Sequence, residues 1–230
     1  MTEKTSDESG ATKIILDVKD CFTKPELDGG EEKRKLWHFY RQETDEETIK
    51  RRAMRDAYEH QVKYLMCTQS TYYGIARNLG FGNINVYKAG SYLCGGMGGT
   101  QMCGNLLGAR LALGQAYGRD NMYTPGWPRE NGPSHLWDTL SIADSELNEA
   151  FTEKFSSVQC HEIQENYFGR HLFFPSDYLD AEIWERHESG ELYRTVSVHA
   201  AYIAEWAAGK AVEIILREWK KLGIPIPMPI

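Results

Sequence analysis

Apolar residues recur at helical spacing over long stretches of the chain, and a few clusters of glycine and proline separate these stretches. The first stretch begins with the capping box Thr44-x-x-Glu47, whose two side chains satisfy free backbone N–H groups. It extends to Leu79, where Gly80 offers the left-handed conformation that ends many helices. Its apolar positions lie three, four or seven residues apart and are Met54, Tyr58, Val62, Leu65, Tyr72, Ala76 and Leu79. The pattern predicts one helix from Thr44 to Leu79.

A second helix is predicted to begin with Thr100 as its N-cap and to end at Gly118. Gly104, Gly108 and Ala112 lie four residues apart within it and therefore share one face. Glycine inside a helix costs about 1 kcal/mol relative to alanine, so two glycines on one face need a compensating contact. This smooth ridge therefore predicts that another helix approaches closely.

The rest of the chain alternates irregular segments with helical ones. Residues 81–93 are predicted as irregular, with a short extended piece at NINVYK, and residues 120–138 as an ordered loop rich in proline, glycine and aromatic residues. Three further helices are predicted at 142–155, 176–188 and 191–222. The last has its own small-residue face, formed by Ala200, Ala204, Ala207 or Ala208, and Ala211. These elements predict an all-α helical bundle with a glycine-rich turn and an irregular aromatic loop.

Composition indicates one soluble domain with two tails. The chain of 230 residues is 41% hydrophobic and 12% aromatic, which is typical of globular proteins. Residues 1–30 are predicted to be a disordered acidic tail, residues 31–222 a single helical domain, and residues 223–230 an extended proline-rich tail. No stretch approaches the roughly 18 apolar residues of a membrane span, and the N-terminus lacks the apolar core of a signal peptide. We therefore expect a cytoplasmic protein.

The charge balance argues against nucleic acid as a partner. The formal net charge is −7, whereas sequence-independent binding to a phosphate backbone requires a basic face. The one basic cluster, at residues 50–55, follows the acidic run at 45–47 by about one helical turn. That spacing predicts a solvated helix face whose charges pair with one another.

Five cysteines stand out in a chain with no targeting signal, because a reducing compartment makes a stable disulfide framework improbable. None belongs to a C-x-x-C motif, so any cooperation between the sulfurs must come from the fold. Four of them lie on or beside predicted helices: Cys67, Cys94, Cys103 and Cys160. They are either sulfur ligands for an iron–sulfur cluster or small buried hydrophobic residues. Cys21 lies in the polar N-terminal region and is left out of this set.

The glycine-rich turn before Cys103 is the second chemical feature. Counted from Thr100, Cys103 takes the third helical position, where the helix dipole favours a thiolate. The turn can direct several backbone N–H groups inward, which would stabilise thiolates and bridging sulfides. Its glycines are Gly95, Gly96, Gly98 and Gly99.

Several motifs together resemble the C_GCAxxG_C_C family of redox-active proteins. They are Cys67-Thr-Gln-Ser on a helix, the turn GGMGG, the segment Cys103-Gly104-x-x-x-Gly108 leading into LALGQAYG, and FSSVQCHEI. The similarity extends over about residues 55–215. The family is a helical domain with four characteristic cysteines, and it also occurs in split-Soret cytochromes, where it resembles the holder of a [2Fe–2S] cluster.

The resemblance implies a ligand set and leaves one position open. Cys67, Cys103 and Cys160 match three of the four family cysteines, while the motif alanine is Asn105 here. The fourth cysteine, expected near the start of the last helix, is missing, and His199 falls near its position. Cys94 is extra relative to the pattern. The resemblance therefore implies a [2Fe–2S] cluster completed by Cys94, the preferred ligand, or by His199, or else a site that holds no cluster. The haem-attachment motif is missing from the sequence, so no haem is implied.

Three functions are compatible with these features. In the first, the chain binds an iron–sulfur cluster and transfers electrons to a partner protein, with residues 120–138 as a candidate docking surface. In the second, the cysteines work without metal, with Cys103 as the attacking thiolate and Cys94 or Cys67 as the resolving thiol. In the third, the chain is an accessory subunit that packs its small-residue faces against a larger partner. The oligomeric state stays open.

Overall fold

The computed structural model of the chain describes residues 5–6, 12–13, 46–98, 101–118, 142–171 and 191–223. Two short antiparallel strands, β1 (Thr5–Ser6) and β2 (Thr12–Lys13), precede the helices. Seven helices follow in the described residues: α1 (Glu46–Tyr64), α2 (Cys67–Leu79), α3 (Ile84–Ala89), α4 (Gly104–Tyr117), α5 (Asn148–Phe155), α6 (Cys160–Phe168) and α7 (Glu191–Leu222). Three shorter elements complete the description: the 3₁₀-helix Gly90–Leu93, the helical turn Gly95–Gly98 and the π-helix Ile142–Leu147. The predicted all-α fold is confirmed.

The predicted helix from Thr44 to Leu79 is in fact two helices, α1 and α2. The chain breaks at Leu65, whose φ of 56° lies in the left-handed region, and α2 begins two residues later. The two helices then pack as an antiparallel hairpin. A Cβ atom on Gly74 of α2 would lie only 2.5 Å from the carbonyl oxygen of Ala53 in α1. Packing between the two apolar faces therefore outweighs continuation of a single helix.

The hairpin also encloses charge. Asp56 of α1 is 2% exposed and accepts a hydrogen bond of 2.9 Å from Asn78 of α2. Arg77 lies 3.5 Å from the same carboxylate and donates to the hydroxyl of Tyr73. Because a buried charge needs partners, this network fixes the register of α1 on α2.

The predicted glycine ridge on α4 is confirmed as a close contact with α2. A Cβ atom on Gly108 would lie 2.4 Å from the backbone oxygen of Thr68. Ala112 continues the ridge and is fully buried. The end of α4 is as predicted, since Gly118 caps it, but its start is not. The helix begins at Gly104 with Cys103 as its N-cap, and Thr100 lies outside the described residues.

The long helix α7 covers the other three long helices and closes the core. It packs against α1, α2 and α4, and its bounds agree with the prediction. Its small-residue face is fully buried at Ala204, Ala207, Ala208 and Ala211. On a further side, Trp206 makes edge contacts with Phe151 and Phe155 of α5. The core therefore lies between α7 and the layer formed by α1, α2 and α4.

Three further predictions have outcomes in the described residues. The extended piece predicted at NINVYK is instead helix α3, because the side chain of Asn83 caps that helix by accepting from the N–H of Asn85 at 2.8 Å. The helix predicted at 142–155 is present as a π-helix followed by α5. The predicted self-pairing of the basic cluster is found in part, since Arg51 pairs with Glu47 at 3.7 Å, whereas Lys50 pairs with Glu213 of α7 at 3.0 Å.

Other predictions lie outside the described residues and stay predictions. They concern the loop at 120–138, the helix at 176–188, the tail at 224–230, Cys21, and all of residues 1–30 except the two strands. In the part of the chain that is described, no helix has both the length and the apolar character that crossing a membrane requires.

Candidate functional site

Cys67 and Cys94 lie side by side where α2 begins. The break at Leu65 makes Cys67 the first residue of α2, and Cys94 directly follows the 3₁₀-helix Gly90–Leu93. The backbone N–H of Gly95 donates a hydrogen bond of 3.1 Å to the Sγ atom of Cys67. The Sγ atom of Cys94 lies 3.4 Å from the carbonyl oxygen of Gly90. Backbone groups at Gly90 and Gly95, on either side of Cys94, therefore contact the two sulfurs.

Their surroundings make these two thiols unequal. The pKa of Cys94 is lowered to about 6, because the thiol of Cys67 and the backbone N–H groups of Gln69 and Thr68 donate to its sulfur. The pKa of Cys67 is raised well above its usual value by that same hydrogen bond and by burial. Although Cys67 is the first residue of α2, the sulfur of Cys94 is the one that accepts from the free N–H groups at this helix N-terminus. Such N–H groups favour a thiolate.

The glycine-rich turn holds the second side of the site. Gly95, Gly96 and Met97 all have left-handed φ values, so the chain reverses within one turn. A Cβ atom on Gly96 would lie 2.5 Å from the Cβ atom of Cys160 and 3.3 Å from its sulfur. Glycine at this position therefore lets Cys160 approach. Gly98 belongs to the same turn, and Gly99 lies outside the described residues.

Cys103 and Cys160 are brought together by a short antiparallel pairing. Met102 and Gln159 form an isolated β-bridge. The N–H of Cys103 donates to the carbonyl oxygen of Val158 at 2.7 Å, and the N–H of Cys160 donates to that of Gln101 at 2.9 Å. Each cysteine then begins or caps the following helix, α4 or α6. The pairing thus aligns two helix N-termini and their sulfurs.

The thiolate predicted for Cys103 is wrong for the metal-free protein. Cys103 is 5% exposed, and burial raises its pKa to about 11, although the N–H groups of Asn105 and Leu106 act in the opposite direction. Burial, together with the neighbouring Cys103, also raises the pKa of Cys160 to about 12. Desolvation outweighs the helix N-terminus at Cys103, whereas Cys94 is the acidic thiol.

Gly104 allows Cys67 to lie close to the segment that carries Cys103. A Cβ atom on Gly104 would lie 2.3 Å from the Sγ atom of Cys67. Because Gly104 directly follows Cys103, its bare backbone leaves the space that the sulfur of Cys67 fills. The nearby sulfur of Cys103 accordingly contributes to the raised pKa of Cys67. The structure therefore assembles Cys67, Cys94, Cys103 and Cys160 from four separate segments.

The contacts that the structure describes for His199 are with two aromatic rings and not with the four cysteines. Its ring stacks on Tyr167 at 3.8 Å between centroids and meets Phe168 edge-on at 5.2 Å. Both rings lie at the C-terminal end of α6, and Cys160 begins that helix, about 10 Å away at 1.5 Å per residue. Burial lowers the pKa of His199 to about 4, so the ring is neutral. Its Nε2 atom is buried and has no hydrogen-bond partner.

The four sulfurs do not form a site for one metal ion. Across the residues that the structure describes, no three His, Cys, Asp or Glu side chains are arranged to hold one. The sulfurs instead form two pairs, Cys67 with Cys94 and Cys103 with Cys160, and Cys67 and Cys103 connect the pairs. Such an arrangement suits chemistry that involves pairs of sulfurs rather than three or four sulfurs around one ion.

Residues that the sequence reasoning passed over position the first pair. Gln69 donates from its side-chain amide to the backbone oxygen of Tyr87 and to the hydroxyl of Ser91, both at 2.9 Å. It therefore ties α2 to the segment that carries Cys94. The sequence signal that could have identified Gln69 was its position in the motif Cys67-Thr-Gln-Ser, two residues after Cys67.

Comparisons with known proteins agree with the cysteine motif. A family model described as "Putative redox-active protein (C_GCAxxG_C_C)" matches residues 65–191, which is more than half of the chain. The matched range contains all four clustered cysteines and ends before His199. Searches of curated proteins and of solved structures gave no match. On the family match and on the motif that carries it, the chain belongs to the C_GCAxxG_C_C family.

Proposed function

We propose that this chain is a redox protein that holds an iron–sulfur cluster through Cys67, Cys94, Cys103 and Cys160. Family membership supports the redox role. The observation that carries the cluster is the arrangement of four cysteine sulfurs in two adjoining pairs. A [2Fe–2S] cluster takes four cysteine ligands, two on each iron, so it needs no group of three ligands around one ion.

The chemistry of the donor set fits such a group. All four candidate ligands are sulfur, the ligand type that iron–sulfur clusters use. Burial keeps Cys103 and Cys160 protonated in the metal-free protein, and a bound metal deprotonates such thiols outright. The N–H of Gly95 already donates to the sulfur of Cys67, which is the kind of hydrogen bond that tunes a cluster potential.

Each residue of the site then has a separate task. The four cysteines bind, while Gly96 and Gly104 leave room for the sulfurs of Cys160 and Cys67. When bound, the cluster supplies one-electron redox chemistry. Tyr92 is 90% exposed and Met97 is 49% exposed, on either side of Cys94. These two side chains offer an apolar contact through which a redox partner would approach the site.

Anaerobic purification followed by iron and sulfide analysis tests this proposal. We expect visible charge-transfer absorption with about two iron ions and two acid-labile sulfides per chain, the content of a [2Fe–2S] cluster. The variants Cys67→Ser, Cys103→Ser and Cys160→Ser should lose most of the iron. Protein that stays colourless and free of iron after reconstitution would contradict the proposal and leave the metal-free thiol role and the accessory-subunit role.

Two further variants decide the fourth ligand. Cys94→Ser should also lose iron, because Cys94 lies beside Cys67. His199→Phe keeps an aromatic ring on Tyr167 and should retain the cluster, with an unchanged absorption spectrum. The opposite result, with iron lost from His199→Phe and kept by Cys94→Ser, would make His199 the ligand.

A further inference from the structure

We propose that Cys94 and Cys67 also form a reversible disulfide when the cluster is not bound, so that oxidation of this pair controls whether the site can take up iron. The disulfide rests on the geometry of the two cysteines alone. Its effect on iron uptake rests on the proposed function. Cys94 is extra relative to the family pattern, so the family motif does not by itself account for this control.

The first support is the contact between the two sulfurs. Gly95, which is covalently joined to Cys94, donates its N–H to the sulfur of Cys67 at 3.1 Å. The thiol of Cys67 in turn donates to the sulfur of Cys94. Formation of a disulfide would bring these two sulfurs from hydrogen-bond contact to about 2.05 Å. Gly95 and Gly96 provide a backbone that can adjust to this movement.

The second support is access from solvent. Cys94 is partly buried, and its neighbours Tyr92 and Met97 are strongly exposed. Cys103 is almost fully buried at 5% exposure. A small oxidant can therefore reach Cys94, as it can the partly exposed Cys67 and Cys160, whereas Cys103 is closed to it. Cys67 lies directly beside Cys94 and is the thiol that can resolve the product.

The reaction is an ordinary thiol–disulfide exchange with a low-molecular-weight disulfide as oxidant. The thiolate of Cys94 attacks one sulfur of the oxidant, forms a mixed disulfide and releases one thiolate, which takes up a proton. Cys67 then loses its proton, attacks the sulfur of Cys94 and releases the second thiol. The two cysteines lose two electrons in total, and the oxidant is reduced to two thiols.

The disulfide would remove two of the four sulfurs from the proposed cluster site. Cys103 and Cys160 would then be left as a single pair, which cannot ligate both irons of a [2Fe–2S] cluster. Oxidised protein should therefore bind no cluster until a reductant reopens the bond. Once bound, the iron would occupy both sulfurs and protect them from the oxidant.

The test uses the full chain with Cys21→Ser, freed of metal with a chelator under reducing conditions. Oxidised glutathione is added, free thiols are alkylated, and the digested protein is analysed by mass spectrometry. We expect a cross-linked peptide that joins Cys67 to Cys94, with Cys103 and Cys160 alkylated. Thiols that all stay free, or a bond between Cys103 and Cys160 in its place, would overturn the inference.

Three variants sharpen the result. Cys67→Ser should accumulate one glutathione on Cys94, because the resolving thiol is missing. Cys94→Ser should show no cross-link and little glutathione on Cys67. Cys103→Ser is the matched control and should keep the cross-link between Cys67 and Cys94. A bond between Cys67 and Cys103 in the parent chain would contradict the pairing.

Iron uptake separates this inference from the proposed function. Reduced protein should take up iron and sulfide, whereas oxidised protein should take up less than a tenth as much until dithiothreitol is added. If reduced protein binds no iron but the cross-link forms, the proposed function fails and the disulfide stands. If reduced protein binds iron and no cross-link forms, the disulfide fails alone. Equal uptake by both forms would refute the control of iron binding.

Discussion

His60 is a buried titratable residue outside the cysteine site, and its hydrogen bonds define its tautomer. Its Nδ1 atom lies 2.9 Å from the hydroxyl oxygen of Ser70, and its Nε2 atom lies 3.3 Å from that of Tyr87. The hydroxyl of Ser70 donates to the backbone oxygen of Met66, so it accepts a proton from Nδ1. Nε2 then accepts from Tyr87, and His60 is neutral.

This neutral ring predicts a loss of stability in mild acid. Burial, with smaller contributions from Lys63 and Arg77, lowers the pKa of His60 to about 3. In the unfolded chain the pKa of this residue is close to its ordinary value of about 6.5. Between pH 3 and pH 6.5 the unfolded chain therefore binds more protons than the folded chain. The free energy of unfolding must therefore fall as the pH falls below 6.5. His60 alone should contribute a decrease of about 2 kcal/mol between pH 7 and pH 5.

Urea unfolding of the parent chain and of His60→Gln at both pH values measures this contribution. The glutamine side chain is uncharged at both pH values. The free energy of unfolding should therefore decrease by about 2 kcal/mol less in the variant than in the parent chain. His199, whose pKa is also lowered by burial, is present in both proteins and cancels in the comparison. Equal decreases in the two proteins would mean that His60 already binds its proton in the folded state.

The cysteines show what a sequence reveals about single residues. Their identity was readable, because cysteine, glycine turn and glycine-spaced helix occur in the family order. Their ionisation states could not be read from the sequence. At Cys103 the effect of burial exceeds that of the helix N-terminus, and at Cys94 it does not. Desolvation depends on every element packed around a sulfur, and that information is not local to the motif.

At the scale of elements, the glycines of α4 predict opposite responses to the same substitution. A Cβ atom on Gly108 would meet backbone and side-chain atoms of α2, with 2.4 Å to the nearest backbone oxygen. A Cβ atom on Gly114, on another face of the same helix, would have no neighbouring atom within 4 Å. Gly108→Ala should therefore force α2 and α4 apart, at a cost of about 1–3 kcal/mol. Gly114→Ala should stabilise the protein by about 0.5–1 kcal/mol through helix propensity.

Thermal unfolding of the two variants tests the close packing of the helices. The midpoint should fall for Gly108→Ala and rise for Gly114→Ala. Equal shifts of the same sign in both variants would show that helix propensity alone governs these positions and that α2 does not lie against Gly108.

The helices themselves were largely predictable, but the break between α1 and α2 was not. The capped helix end at Gly80 and the bounds of α7 agree with the sequence pattern. The turn at Leu65 contains neither glycine nor proline, and a leucine takes the left-handed conformation there. Such a conformation costs about 1–2 kcal/mol, and packing of Gly74 against Ala53 compensates for it. Tertiary contact decided the break, so periodicity along one stripe could not reveal it.

At the scale of the whole molecule, the site depends on how α2, α4 and α7 are joined, and Asn105 joins all three. It follows Cys103 by two residues and is 1% exposed. Its side-chain oxygen accepts from the hydroxyl of Thr71 in α2 at 3.0 Å. Its amide nitrogen donates to the backbone oxygen of Ala200 in α7 at 2.9 Å. The resemblance marked position 105 only as a departure from the family alanine, since nothing in the sequence says which helices meet there.

Restoring the family alanine at this position should therefore weaken the chain. Asn105→Ala removes two buried hydrogen bonds, each worth about 0.5–1.5 kcal/mol, so the free energy of unfolding should fall by about 1–3 kcal/mol. Asn85→Ala is the control, because that side chain is exposed and its loss should change stability by less than about 0.5 kcal/mol. Urea unfolding of both variants measures the difference. If Asn105→Ala matches the control, α7 is held on α4 by its buried alanine face alone, and the hydrogen bonds of Asn105 contribute nothing to the assembly of the site.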